Sequence, residues 1–278
     1  MALYNPSSQW IRIALANINF ELCGNRLRSI PATREKIEKV LGIASEHKPD
    51  IVIFPEYSAD ESFDELYSNY AVDQQCAVIA GTCVRDVFGK KYNTCSIFNI
   101  KGGSHQIMKR HLTPFENVGN YATPFQDELH NENLRLELRF GEIDVLIKIC
   151  LDFIIEDHFR CERPDIVFVP LYNDGDEKFE ESAINFAFHH STFVIGLNIG
   201  GKENFSTIGG WNSNRQSIEA FRHAELLVNP YKPSSCMKYY SEKLVILELD
   251  LATPVIPSHG QAHQGCFNTR IFQNIPIE

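Results

Sequence analysis

Four side chains in this sequence are of types that carry acid–base and nucleophilic chemistry, and they fall in three short stretches. Cys150 ends the apolar run I-D-V-L-I-K-I-C and is followed by Leu151-Asp152. A thiol at a strand-to-helix junction can gain from backbone N–H groups and the helix dipole, which favour the thiolate. The same N–H groups could hold an oxyanion. The competing reading is a small buried hydrophobe, the usual role of a free cysteine. Glu56 follows the run D-I-V-I-F, Asp50 to Phe54. An acid at the carboxyl end of a buried strand is unfavourable unless it is solvated, paired or used. Strand carboxyl ends are also where open α/β folds place ligands. Its competing reading is a surface carboxylate just past the strand. Lys109 begins K-R-H-L-T-P-F-E, which ends at Glu116. A cation beside a carboxylate can orient a general base or stabilise negative charge on a substrate oxygen. The alternative is a solvated basic patch, Lys109-Arg110-His111.

The elements that must position these residues follow from hydrophobic period. Trp10 to Ala16 reads as a buried strand. Residues 33–46 carry Ile37, Val40, Leu41 and Ala44 at spacings of three and four, which predicts an amphipathic helix with Thr33 as its N-cap. Asp50 to Phe54 is a strand, and Asp60 to Tyr70 an acidic helix. Residues 76–83, 92–99 and 105–109 read as strands, with a turn at 89–91. Residues 113–133 have little period and read as a long loop, a feature often tied to function. Strands follow at Leu134 to Phe140, Ile143 to Cys150, Asp165 to Val169, Phe193 to Asn198, 213–228 and 243–249, with a helix over 177–190. The last stretch, from about residue 251, has no clear period and is expected to wrap the surface of a single domain spanning 1–278.

Two stretches resemble each other. Lys48 to Ser58 is K-P-D-I-V-I-F-P-E-Y-S, and Arg163 to Asn173 is R-P-D-I-V-F-V-P-L-Y-N, an offset of 163 − 48 = 115. The next apolar strands, near Val78 and Val194, are 194 − 78 = 116 apart. Matching offsets predict two half-domains of one design, each of strands alternating with helices. The copies differ at one place of interest: Glu56 is matched by Leu171.

Composition narrows the function classes. Lys plus Arg number 26 and Asp plus Glu 36, a net charge of −10. That excludes a strongly basic nucleic-acid binder. No apolar run approaches the ~18 residues of a membrane helix, and the first residues lack a secretory pattern. The eight scattered cysteines read as reduced thiols of a cytoplasmic protein. His259, His263 and Cys266 have workable metal-ligand types, but no fourth ligand is paired with them. P-loop, G-x-S-x-G, H-E-x-x-H, C-x-x-C and G-x-G-x-x-G patterns are absent from the sequence.

F-P-E-Y at Phe54 to Tyr57, K-x-x-L-x-P-x-E from Lys109 to Glu116 and I-C-x-D-F from Ile149 to Phe153 occur in that order. The set resembles the carbon–nitrogen hydrolase superfamily, the nitrilase-like amidases, over roughly residues 10 to 250. The resemblance implies an α/β fold: a four-layer αββα sandwich with internal pseudo-two-fold symmetry. It implies Glu56 as general base, Lys109 as oxyanion stabiliser, Cys150 as nucleophile and Glu116 as accessory glutamate. It also implies a small-molecule amide or nitrile-type substrate, no metal or organic cofactor, and assembly into a homodimer or larger homo-oligomer.

The chain departs from the family pattern at several points. Ile154-Ile155-Glu156 replaces the Pro-Glu that often follows the cysteine. Phe125 stands where a glycine is usual, and Gly209 to Asn214 reads G-G-W-N-S-N. These changes bear on the substrate more than on the reaction. Three other functions stay open: a catalytically silent binding or assembly module, an acyltransferase or ammonia-supplying variant using the same cysteine, and a Cys150–His111 dyad of the peptidase kind.

Overall fold

In the computed structural model the described residues are 10–118, 121–126, 133–155, 164–172, 192–199, 242–251 and 269–277. Short pieces at 178–179, 182–183, 205–208 and 221–222, with Phe186 and His190, complete them. The apolar runs read from the sequence become strands at the centre of two sheets. The first half contains β1 (Trp10–Asn17), a small hairpin of β2 (Leu22–Cys23) and β3 (Arg26–Leu27), helix α1 (Ile30–His47) and β4 (Ile51–Ile53). It continues with helix α2 (Asp64–Gln74), β5 (Ala77–Val87), β6 (Lys90–Phe98) and β7 (Ser104–Met108). The second half holds short helix α3 (Pro114–Val118), β8 (Leu134–Leu138), β9 (Gly141–Ile147), short helix α4 (Asp152–Ile155), β10 (Ile166–Pro170), β11 (Phe193–Leu197), β12 (Phe205–Ile208) and β13 (Phe221–Arg222). The last strands are β14 (Lys243–Asp250) and β15 (Thr269–Pro276).

The order in the first sheet is β15-β14-β1-β4-β5-β6-β7, and in the second β13-β12-β11-β10-β9-β8. Strands β1, β4 and β5 are parallel neighbours, as are β9, β10 and β11. On one flank of each trio an antiparallel strand follows: β14 beside β1, β8 beside β9. On the other flank two antiparallel strands follow: β6 and β7 beside β5, β12 and β13 beside β11. Six strands in the same order and sense therefore occur twice. The repeat expected from the 115-residue offset is present in the topology, since β4 starts at 51 and β10 at 166.

Alternation along the strands decides what each face meets. Ile13, Ile51, Ile53, Ile79, Val245 and Leu247 belong to one continuous core with Val145, Ile147, Val167, Val169 and Val194 of the second sheet. The two sheets thus pack face to face. Ala14, Val52 and Val78, one residue out of phase, lie in a second core with Ile37, Val40, Leu41 and Ala44 of α1 and Tyr67 and Ala71 of α2. Three of the four expected layers are thereby in place. Residues 177–190, expected as a helix of the fourth, are described only in part; Phe179, Ala183 and Phe186 among them are helical and join the first core.

Three expectations about elements need correction. The N-cap of α1 is Ser29, whose Oγ accepts from the Ala32 N–H, and not Thr33. Pro31 sits in the first turn, where a missing N–H is no loss, so the helix starts earlier than its apolar stripe. Thr33 donates its hydroxyl back to the Ser29 carbonyl. The long loop after residue 112 contains α3, one turn of helix. Residues 269–276, expected as surface tail, form β15 and pair antiparallel with β14 at the edge of the first sheet. Most of the strands expected over 213–228 lie outside the described residues; Phe221–Arg222 pairs with β12.

Candidate active site

Glu56 is carried on a tight loop that leaves β4 and rests on an irregularity in β5. The pairing of β5 with β6 shifts register between Ile79 and Thr82. Gly81, in that gap, has φ +71, and a Cβ there would stand 2.2 Å from the Pro55 carbonyl oxygen and 2.3 Å from Ser58 Oγ. Only glycine lets the loop approach this closely. Thr82 then anchors it. Its Oγ1 accepts from the Tyr57 N–H at 2.9 Å and its carbonyl from the Ala59 N–H at 3.2 Å. Tyr57 itself is left-handed, at φ 62. The result holds Glu56, 1% exposed, beneath the surface rather than on it.

Lys109 follows β7 and is completely buried, so it belongs to no solvated basic patch. Its Nζ donates to Glu56 Oε1 at 2.7 Å and to Glu116 Oε2 at 2.9 Å. Asn93 of β6 lies between the same two acids. Its Nδ2 donates to Glu56 Oε1 at 3.0 Å and Glu116 Oε1 at 2.9 Å, and its carbonyl accepts from the Lys109 N–H at 2.8 Å. Glu116 also accepts from the Tyr57 hydroxyl at 2.5 Å and from both the N–H and the hydroxyl of Thr113. Five donors saturate both Glu116 oxygens. Glu56 takes its charged and amide donors on Oε1 alone, and the Cys150 thiol lies near enough to act on it.

Cys150 stands in the turn between β9 and α4 at φ 48, a strained value for a side chain with a Cβ. Its N–H donates to the Pro170 carbonyl at 3.0 Å, which ties the turn to the end of β10. Asp152, buried at the start of α4, accepts from the Arg110 N–H, the His111 N–H at 2.6 Å and His111 Nδ1 at 3.1 Å. One carboxylate thus fastens the segment after Lys109 to the turn bearing Cys150. His111 is held on Asp152, while Cys150 lies under the electrostatic influence of Glu56 and Lys109.

Electrostatics separates the acids. Burial, reinforced by Glu116, outweighs the opposing pull of Lys109 and pushes Glu56 up to about 7. Burial would also raise Glu116, but Lys109, Tyr57 and Thr113 together hold it below its ordinary value. Burial opposes the Lys109 ammonium, yet Glu56, Cys150 and Glu116 keep it charged. Burial and the neighbouring Glu56 push the Cys150 thiol up, with Lys109 opposing. Burial and the Glu56 carboxylate favour the protonated thiol.

All four expected site residues, Glu56, Lys109, Glu116 and Cys150, meet in this one cluster. Asn93, Thr113 and Asp152 were not singled out from the sequence. Asp152 was within reach as the fixed acid of I-C-x-D-F; Asn93, on an ordinary strand, gave no signal. His259, His263 and Cys266 lie outside the described residues, as do residues 209–214. Phe186 and His190, in an aromatic-rich stretch, stack at 4.3 Å, and Phe186 packs on Phe153 next to the cysteine turn.

No protein-family model matches the chain, and no curated protein matches it by sequence. Solved structures do match. One is Nit3 of Saccharomyces cerevisiae, described as a member of branch 10 of the nitrilase superfamily. It is 15% identical with TM-score 0.55, covering 72% of this chain and 83% of that one. A mutant amidase from Nesterenkonia sp. AN1, showing covalent addition of the acetamide moiety of fluoroacetamide at its active site cysteine, is 14% identical. Its TM-score is 0.55, with 74% of this chain and 86% of that one covered. The glutamine-dependent NAD+ synthetase of Acinetobacter baumannii is 17% identical with TM-score 0.59, covering 92% of this chain and 49% of that one. The chain has the fold of the nitrilase superfamily.

Proposed function

We propose that this protein is a member of the carbon–nitrogen hydrolase superfamily that cleaves a non-peptide C–N bond of a small amide or nitrile-type molecule. The observation that carries this reading is the buried cluster in which Cys150 lies beside Glu56, Glu56 shares Lys109 with Glu116, and Asn93 donates to both acids. Burying three charges around a cysteine is a large desolvation penalty for a scaffold, and it is the arrangement a base-assisted thiol requires.

For an amide, ionised Glu56 takes the Cys150 proton as sulfur attacks the carbonyl carbon. Two Lys109 N–H groups are committed to the two glutamates. An ammonium has three, so the third is left for the oxyanion, with the Leu151 N–H as its companion. Protonated Glu56 gives its proton to the leaving amine, and the thioester remains. Water then attacks the thioester while Glu56 takes one of its protons. The tetrahedral intermediate collapses, the C–S bond breaks, and the proton returns to sulfur. Glu116, saturated with donors, holds Lys109 in place through the cycle.

Alkylation rates of each cysteine by iodoacetamide at neutral pH, resolved by mass spectrometry, test this without a known substrate. Cys150 is expected to react far faster than buried Cys76 and Cys95, and to slow in Lys109→Ala and Glu56→Gln. Equal rates for Cys150 and the other buried thiols would sink the proposal in favour of a binding or assembly module.

The glutamine-dependent synthetase covers 92% of this chain, against 72% for Nit3, which favours one variant reading: release of ammonia from glutamine for use elsewhere. Glutamate and ammonia formed from glutamine in equal amounts, and lost in Cys150→Ser, would support it. Turnover of simple amides with glutamine inert would exclude it.

A further inference from the structure

Asn93 is the residue of this site whose chemistry the reaction scheme leaves unused. It is completely buried on β6, and it contacts three of the four site residues or their main chain. Its orientation is decided by its neighbours: both partners are carboxylate oxygens, so the amide nitrogen must face them. The amide oxygen, turned away, is buried with no hydrogen-bond partner among the described residues. A buried unsatisfied acceptor is unfavourable, so what the side chain gains in polar contact comes from the two N–H groups aimed at Glu56 and Glu116.

Those two N–H groups do something Lys109 alone cannot. Lys109 could bind either oxygen of Glu56, since its ammonium rotates freely. The planar amide fixes the second donor in direction. With Asn93 and Lys109 both on Oε1, the carboxylate cannot turn over without breaking two bonds, and Oε2 is the oxygen that takes neither donor.

We propose that Asn93 is a positioning residue that selects the oxygen of Glu56 used as base and keeps that carboxylate ionised when Cys150 reacts. The inference rests on the catalytic reading above. The groups facing Glu56 are Lys109 after β7, Glu116 on α3, Tyr57 beside it on its own loop, Cys95 on β6 and Cys150 before α4. Of these only Lys109 is a cation, so loss of the Asn93 donor leaves the anion with less support.

The test is the pH dependence of Cys150 alkylation by iodoacetamide, read between pH 5.5 and 9 in wild type, Asn93→Ala and Asn93→Asp, with exposed Cys23 as internal control. Asn93→Ala removes the donor, and Asn93→Asp keeps the shape but replaces donor by acceptor. The midpoint for Cys150 is expected to move up by about one pH unit in Asn93→Ala, the order a single charge-assisted hydrogen bond supplies. It should move further in Asn93→Asp, with Cys23 unmoved in both. Should one variant fail to fold, the other alone carries the comparison. A wild-type Cys150 no faster than Cys76 and Cys95 would overturn the catalytic reading and this inference with it. A fast, Glu56-dependent Cys150 whose midpoint is unchanged in the folded variants would overturn the role of Asn93 alone.

Discussion

Two carboxylates share one lysine, and their hydrogen-bond inventories divide the work between them. Glu116 accepts five donors and is held below its ordinary value; Glu56 accepts two on one oxygen, is pushed up to about 7, and takes neither of those donors on the other oxygen. In the proposed mechanism Glu56 must be ionised to take the thiol proton, so alkylation of Cys150 should rise with pH through about 7, well below the range of an ordinary thiol. Glu56→Gln should lower the rate about 10²- to 10⁴-fold and remove that limb. The same shift has a stability consequence. Folding favours the protonated form of Glu56, so its contribution is full below about 4.5 and is lost as pH rises through about 7. The melting temperature of Glu56→Gln relative to wild type should therefore climb between pH 4.5 and 8. A difference that stays flat would mean that the burial of Glu56 does not perturb it. Asp152 gives a prediction of another kind, because it touches none of the reacting atoms. Asp152→Asn leaves one acceptor oxygen where three donors converge, so the Lys109 segment and the Cys150 turn lose their common anchor. Cys150 should slow by on the order of ten- to a hundred-fold, the effect of small displacements at a reacting centre. Unchanged alkylation would show that the Pro170 carbonyl alone positions the turn.

At the scale of elements, the device that matters most is the irregularity at Gly81. A regular β5 would carry a side chain where the Pro55–Ser58 loop has to lie, and Glu56 would be lifted out of reach of Cys150. Gly81→Ala meets backbone at 2.2 Å and adds a Cβ at φ +71. It should destabilise by about 2–4 kcal/mol, among the larger single-substitution effects, and should slow Cys150 alkylation in whatever fraction remains folded. A variant with wild-type melting temperature would show that the loop has room to shift. This element also marks what could be read from sequence. D-I-V-I-F and P-D-I-V-F-V-P were legible as strands, because short apolar runs bounded by proline have few other uses. The bulge was not, since a glycine inside A-V-I-A-G-T-C-V states nothing about which loop needs the space. Thr33 borders the apolar stripe and so reads as the cap; the true cap, Ser29, is set by Pro31 and by hydrogen bonding that no period reveals. The four residues of the three motifs are legible by type and order, whereas Asn93 is visible only where β6 places it between two acids.

Across the whole molecule the repeated six-strand order explains how one end of the fold gathers a site from both halves. Glu56 lies past β4 in the first sheet, and Cys150 past β9 in the second, so the face-to-face packing of the sheets is what brings Glu56 to Cys150. Strand β15 stands outside this logic. It is a seventh strand on the first sheet, and the described residues of the second sheet hold no counterpart. It pairs along most of β14, from Lys243 to Leu249, so it shields an edge that would otherwise offer free N–H and carbonyl groups to another chain. In the order β15-β14-β1-β4, it is three strands from the one that carries Glu56. Removal of residues 269–278 should therefore separate stability from chemistry. The melting temperature should fall by about 5–10 °C, as the loss of about 2–3 kcal/mol does in a chain of this size, and concentration-dependent association should appear through the bared β14. Cys150 alkylation, measured on the folded fraction at low temperature, should keep its wild-type rate and its rise through about pH 7. A loss of reactivity equal to the loss of stability would instead mean that the first sheet transmits strain from its far edge to β4, and that the repeat alone does not suffice to hold the site.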